Sequence, residues 1–468
     1  MRAPGAVFHL GSSQMTNGGF TALSTIGMLG YGIPEESFRL GVESRPRMIG
    51  ADAGSTDAGP HKLGRGVPDV SRDATRRDID LMLEAGLAAK IPVIIGSAGG
   101  SGAKNHVQWT WEIVQEIAAA KALKLKVAVI HSDISNRDLK LAFEAGRVQP
   151  LGAAPPLDAT AIDETVSIVA QMGVEPIIEA LDGGADLVIA GRACDAAIFA
   201  APAIRAGADP GLAWHMGEIL ECGAMCAEPG SGSDCMLGVI TDDRFVLQPT
   251  NPARRCTPLS VAAHSLYERS YASQSAGPGH LLDMSQTRFD ALDERRVAVS
   301  GTRLKRTAPL RFKIEGSRPA GFRTIVICGI RDPIAVERID EMLEGTKAAT
   351  TRFFARRPDY TLRFIVYGRD GVMGKSEPTP VIDGHEVGLM IDVVAPSQEQ
   401  ANTVCAYARA LLQHYHYEGI KATGANLAFP TAPSDIPCGS IYSFSVYHLL
   451  EVDSPTALFP VEYRNLGH

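Results

Sequence analysis

Residues 91–103 read IPVIIGSAGGSGA. A short run of largely β-branched apolar residues stops at Gly96 and gives way to Gly96, Gly99, Gly100 and Gly102 within one small-residue loop. A strand feeding a backbone-exposing turn has this form. Residues 105–123 follow with helical periodicity, so the loop N–H groups and the positive end of the helix converge on one spot, where an anion is stabilised. The spacing is neither GxGxxG nor GxxxxGK[ST] and names no nucleotide; a plain tight βα turn is the alternative reading.

The same design recurs on both sides of that stretch. Residues 6–10 meet Ser12 and Ser13, and residues 47–51 run into Asp52, Ser55, Thr56 and Asp57. Downstream, 126–130 ends in His131-Ser132-Asp133, and 185–190 ends in Gly191-Arg192-Ala193-Cys194-Asp195. Helical patterns at 71–90, 105–123, 136–146, 159–172 and 195–206 alternate with these runs, with a further strand expected at 176–178. Such alternation predicts a mostly parallel sheet covered on both faces, and in such sheets ligands bind at the carboxyl ends of the strands. The polar clusters sit at those ends.

At 468 residues the chain has room for two or three domains of roughly 100–200 residues each. The expected division is 1–240, an N-terminal mostly parallel α/β sheet domain with Gly-rich anion-binding loops; 241–322, a β- or loop-rich insertion; and 323–468. From residue 323 the pattern is strand, helix, strand, strand, helix, strand, the order of a C-terminal ferredoxin-like α+β domain. Before its last strand, NLAFPTAPSD at 426–435 brings Asn426 and Thr431 into a Pro-punctuated loop expected to cap the site of the first domain.

Composition narrows the function classes. There are 45 Lys+Arg against 53 Asp+Glu, a formal net charge of −8 with no basic block, which argues against nucleic acid as the main partner. No stretch approaches the roughly 20 apolar residues of a membrane span, and no signal-type apolar run is evident. A cytoplasmic protein with no membrane partner is expected. The 8 cysteines show no CxxC pairing and read as reduced thiols.

Taken together, GADAGSTDAGP (50–60), VIIGSAGGSGA (93–103), VIAGRACDAA (188–197), the helix bearing His215, Glu218 and Glu221, and NLAFPTAP (426–433) resemble the acyclic terpene utilisation, AtuA-like, family. The resemblance runs over nearly the whole chain. It implies a role in degrading acyclic branched carboxylates or their thioesters, a small separately encoded partner subunit, and a homo- or hetero-oligomer. A ferredoxin-like tail is a recognised piece of other members.

The chain has no GxSxG elbow, HExxH, Walker motif, GxGxxG fingerprint or evident Schiff-base lysine, so serine hydrolase, zincin, NTPase, nicotinamide and pyridoxal-phosphate readings fall. What remains is Asp52, Asp57, Asp133 and Asp195, the Arg192 guanidinium, the His131 imidazole and the hydroxyls of Ser55, Thr56 and Ser97. Such a set can clamp a carboxylate, cradle an oxyanion on glycine N–H groups, and remove a proton next to a carbonyl.

The leading expectation is a lyase, specifically a hydro-lyase, acting on a small branched or polycarboxylic acid or its CoA ester. Arg192 would hold the substrate carboxylate, and Gly99, Gly100 and Gly102 the anionic end. Asp57 or Asp195 would move the proton, with His131 as another candidate base. Two other functions use the same features: a non-catalytic carboxylate- or acyl-CoA-binding subunit of a multienzyme assembly, and a double-bond isomerase. Arg192 bracing its loop through Asp195, and His131 as a plain strand-end histidine, are the structural alternatives. No cofactor is required by the sequence; Asp52 and Asp133 are the candidate ligands of a Mg²⁺ ion, which favours carboxylates and waters.

Overall fold

The computed structural model describes residues 19–54, 59–68, 70–267, 269, 271–379, 381–421 and 424–467. The strand expected at 6–10, Ser12, Ser13, and the candidate site residues Ser55, Thr56 and Asp57 lie outside the described residues. The chain is a mixed α/β protein. It divides into two compact units, Met1–Arg318 with Phe444–His468, and Pro319–Ser443.

Five parallel strands form the centre of the first unit: β1 (Phe20–Ser24), β2 (Met48–Asp52), β3 (Val93–Gly96), β4 (Leu125–Ile130) and β5 (Leu187–Ala190). Each is apolar at consecutive positions because both faces of the sheet are covered. Successive side chains point to opposite faces, and the packing follows that alternation. Ile94, Ala128 and Val188 enter one core, whereas Val93, Ile95, Val127, Leu187 and Ile189 enter the other.

The helices divide the same way. α1 (Glu35–Glu43), α2 (Arg72–Ala89) and α3 (Lys104–Lys121) send Phe38, Ile79, Met82 and Val114 into the core with Ile95. α4 (Glu175–Asp182) and α5 (Ala197–Arg205) send Ile177, Ala180, Ile198 and Phe199 into the core with Ile94.

Strand order is β1-β2-β3-β5-β4. α3 carries the chain from β3 past the place of β5 to β4, and α4 brings it back. Crossovers between parallel strands are right-handed, so reversing direction puts the returning helix on the other face. β3 and β5 are therefore neighbours, paired Val93↔Leu187 and Ile95↔Ile189, whose outgoing helices α3 and α5 lie on opposite faces. A parallel sheet opens a crevice at the carboxyl ends of two such strands. The Gly96 loop and the Arg192 loop both start there.

The complete sheet is mixed rather than mostly parallel. Met236–Ile240 pairs antiparallel with β1 and Val461–Leu466 antiparallel with β4, and among the described residues the sheet has ten strands. Arg244–Pro249, Arg288–Ala291 and Val297–Ser300, all from the segment 241–322, extend it beyond Met236–Ile240.

Two local expectations are corrected. The helix expected over 159–172 stops at Ala159–Asp163 and is followed by a strand, Ser167–Ala170, that pairs with Ile314–Ser317. The strand expected at 176–178 is inside α4. Pro176 falls in the first turn, where its missing N–H costs nothing, and Ile177, Ala180 and Leu181 form its buried face.

In the second unit, Phe322–Ile330 of the long strand Arg311–Ile330 pairs antiparallel with Val387–Ala395, which pairs antiparallel with Thr361–Tyr367. Helices Ile339–Phe353 and Gln398–Gln413 pack on these strands through one core that includes Val326, Met342, Ile391 and Val404.

Candidate functional site

The two loops of the crevice are locked to each other by backbone contact. A Cβ on Gly102 would lie 2.0 Å from the Arg192 amide nitrogen, and Gly102 has φ +64°, so only glycine fits there. Ser132, just beyond β4, ties both segments: its Oγ donates to the Gly102 carbonyl at 3.1 Å and accepts from the Arg192 N–H at 2.7 Å. Ser97, the first residue after β3, is a non-glycine at φ 43°. Its buried Oγ accepts from Arg192 Nη1 at 3.2 Å and from the Ala193 N–H at 3.3 Å. That polar anchorage holds a backbone conformation that costs a non-glycine residue of order 1 kcal/mol.

Arg192 is buried, 8% exposed, at the centre of a charge cluster. Its Nη1 donates to Asp195 Oδ1 at 3.1 Å and its Nε to Glu315 Oε2 at 3.3 Å, and Lys313 closes on the other Glu315 oxygen at 2.6 Å. Nη2 makes no hydrogen bond among the described residues. Burial works against the guanidinium charge, but the carboxylates of Glu315, Asp195 and Asp52 outweigh it and hold the pKa above its ordinary value. The two carboxyls diverge. Burial pushes Asp195 up despite Arg192, whereas at Glu315 the Arg192 and Lys313 charges overcome burial and hold it down. The two carboxyls therefore differ in how readily each holds a proton, Asp195 more and Glu315 less.

A narrow pocket with a cavity volume of about 10 Å³, the room that one water takes, opens on this cluster, all of it within the first unit. Gly54, Leu63, Gly100, Ser101, Arg192, Glu315 and Phe444 are among its lining residues. Glu315 was not singled out in the sequence. The available signal is RFKIEG, in which Phe312 and Ile314 are buried apolar residues and the alternate positions Lys313 and Glu315 carry opposite charges inside a strand.

Of the residues expected at the site, the structure brings together Ser97, Gly99, Gly100, Gly102, Arg192 and Asp195. His131 is not among the residues lining the pocket; its Nε2 is 3.6 Å from Glu462 on the antiparallel edge strand Val461–Leu466. Asp133 Oδ1 accepts from the Lys104 N–H at 2.9 Å, so the positive end of α3 already faces a carboxylate of the chain. Burial raises the Asp133 pKa against that N–H. Asp52, fully buried, accepts from the Gly54 N–H at 2.6 Å. Among the described residues no three His, Cys, Asp or Glu side chains come together as a metal-binding group. Asn426 and Thr431 belong to the second unit, where the Asn426 amide donates to the carbonyls of Leu412, in the last turn of helix Gln398–Gln413, and of Tyr415, just beyond it.

The model of the acyclic terpene utilisation family protein AtuA matches residues 74–234 and 238–437, most of the chain. The chain belongs to this family. No curated protein and no solved structure matches it. In this AtuA family chain the matched residues include both crevice loops, Lys313, Glu315 and the 426–433 loop, and begin downstream of the 50–60 motif. Among the described residues, no helix is long and apolar enough to cross a membrane.

Proposed function

We propose that the chain is a lyase, a hydro-lyase that adds water to or removes it from a small branched or polycarboxylic acid or its CoA ester. The observation that carries this reading is the position of Arg192. It lines a pocket at the point where the parallel sheet reverses its winding, with a neighbouring carboxyl raised in pKa and a second one lowered. Arg192 would receive a substrate carboxylate oxygen at Nη2, and the Gly96–Gly102 loop would surround the anionic end. Asp195 would carry the proton, while Glu315 stays ionised and keeps the guanidinium in place. The expected Asp57 alternative belongs to the same proposal.

One observation favours the rival reading, a non-catalytic carboxylate- or acyl-CoA-binding subunit. Two carboxylates already engage the guanidinium, as they would in a brace. A double-bond isomerase shares the residues of the hydro-lyase and differs in whether water enters the product. We further read the second unit as ferredoxin-like, and the whole as a cytoplasmic member of an oligomer with a small separately encoded partner. Mg²⁺ would assist the same chemistry through added charge, without being required.

A thermal-shift screen of the purified chain tests the proposal, using short di- and tricarboxylates, branched acids and CoA thioesters, with and without Mg²⁺. A ligand that binds the native state raises the melting temperature by mass action. A selective shift followed by water addition or loss in the NMR spectrum supports the hydro-lyase; a selective shift with no turnover supports the binding subunit.

A further inference from the structure

Beside the Arg192 cluster lies a contact for which water addition has no use. Ser101 Oγ is 2.6 Å from His106 Nδ1, and the Ser101 backbone N–H points to the same nitrogen at 3.3 Å. A backbone N–H can only donate, so the hydrogen bonding assigns the lone pair to Nδ1 and the ring proton to Nε2. The serine hydroxyl therefore donates to the imidazole, and its oxygen lone pairs are left for another partner. A hydroxyl bonded in this way to a neutral imidazole is the contact that activates a serine nucleophile.

The surroundings are built for that contact. Ser101 is flanked by Gly100 at φ +107° and Gly102 at φ +64°. A Cβ on Gly99 would meet His106 Cβ at 2.7 Å, and one on Gly102 would meet the Arg192 backbone. The loop is thus pressed between His106 on one side and Arg192 on the other, with Ser101 in the middle. His106 is fully buried, and burial above all holds its pKa down to about 4 against the Val67 carbonyl, so the ring is neutral at pH 7. Ser101, 6% exposed, lines the pocket that Arg192 and Glu315 also line. The lack of a GxSxG elbow sets the serine-hydrolase reading aside; Ser101 stands outside that pattern, and the geometry of its contact with His106 reopens the reading at this position.

We propose that Ser101 is a nucleophile for short acyl groups carried as thioesters or activated esters, with His106 as its base and Arg192 facing the carbonyl oxygen. Ser101 Oγ adds to the carbonyl carbon while its proton passes to His106 Nδ1. The negative charge on the carbonyl oxygen is met by the guanidinium. Collapse breaks the carbon–sulfur bond, and His106 returns the proton to the departing thiolate, leaving an ester on Ser101. Water then attacks that ester, with His106 taking its proton and returning it to Ser101 Oγ. The sum is thioester plus water giving carboxylic acid plus thiol. A pocket with a cavity volume of only about 10 Å³ restricts the acyl group to the smallest. This activity goes beyond the hydro-lyase reading and does not depend on it.

Labelling of the full chain with a small fluorophosphonate, followed by peptide mass spectrometry, tests it. The expected result is one phosphonyl adduct on the peptide that holds Ser101, absent in Ser101→Ala and formed about 100-fold more slowly in His106→Gln. Should Ser101→Ala fail to fold by circular dichroism, Ser101→Cys keeps the contact and is expected to take iodoacetamide at position 101. A folded wild-type chain with no adduct at Ser101, or His106→Gln labelled at the wild-type rate, overturns the proposal.

Discussion

Gly102 and Arg192 touch through their backbones: a side chain begun at Gly102 would place its Cβ 2.0 Å from the Arg192 amide nitrogen. The Gly-rich loop after β3 and the guanidinium loop after β5 are therefore one rigid assembly, with Ser132 pinning both.

Gly102→Ala is expected to damage that assembly through two effects. Its φ of +64° costs a side chain about 1 kcal/mol, and overlap with backbone atoms, which cannot swing aside, adds about 1–3 kcal/mol. Gly146 provides the control, with φ +72° and nothing within 4 Å of a Cβ. Urea denaturation should show Gly102→Ala losing clearly more stability than Gly146→Ala; equal losses would mean that the two loops are not in contact.

Glu315 neutralises both Arg192 and Lys313 while only 12% of its side chain is exposed. Removing one partner of a buried ion pair leaves the others uncompensated, at about 3–5 kcal/mol. Glu315→Ala should accordingly lower the denaturation midpoint strongly, and Glu315→Gln, which keeps a hydrogen-bond acceptor for Arg192, should lower it less. A Glu315→Ala chain as stable as wild type would remove Glu315 from the cluster.

Much of the first unit can be read from the sequence because parallel strands covered on both faces are continuous apolar runs; Val93-Ile94-Ile95 and Leu187-Val188-Ile189 are such runs, each ending in small polar residues. What cannot be read is strand order. Nothing in the chain places β5 between β3 and β4, and that placement is what brings Arg192 to the Gly96–Gly102 loop. Glu315 stayed hidden for a related reason: it joins the site across 123 residues of chain, from a strand whose own pattern shows only a charged pair among apolar neighbours. Ser101 and His106 are five residues apart across the junction of loop and helix, a spacing that matches no helical or strand period. Pro176 misled in the opposite direction, since a proline among β-branched residues fits an edge strand as well as the first turn of a helix.

Buried and half-buried histidines set an expected response to acid. Burial holds His106, His264 and His280 down to about 4 and His215 down to about 3, against an ordinary value of about 6.5. Between those values the unfolded chain binds protons that the folded chain refuses, so stability is full above about pH 6.5 and falls as pH drops towards 4. The raised carboxyls Asp133, Glu175 and Asp195 act in the opposite sense, being stabilising at low pH and losing that contribution as pH rises. Each histidine that excludes its proton contributes up to about 1.4 kcal/mol per pH unit, and the raised carboxyls reduce the sum. Melting temperatures across pH 4.5–7.5 should fall towards acid, and replacing His215, held between Thr302 and Ser265, by Gln should flatten the decline.

The role of Arg192 is tested most directly by proton NMR in D₂O. Wild type and Arg192→Ala would each be incubated with unsaturated and hydroxylated short branched acids and their thioesters. The hydro-lyase reading predicts water addition or loss by the wild type, with deuterium entering next to the carboxylate. It also predicts a fall of about 100-fold or more in Arg192→Ala, the usual loss when a charge-stabilising donor is removed. Turnover by Arg192→Ala at the wild-type rate, or a wild type that binds these acids and transforms none of them, would contradict it.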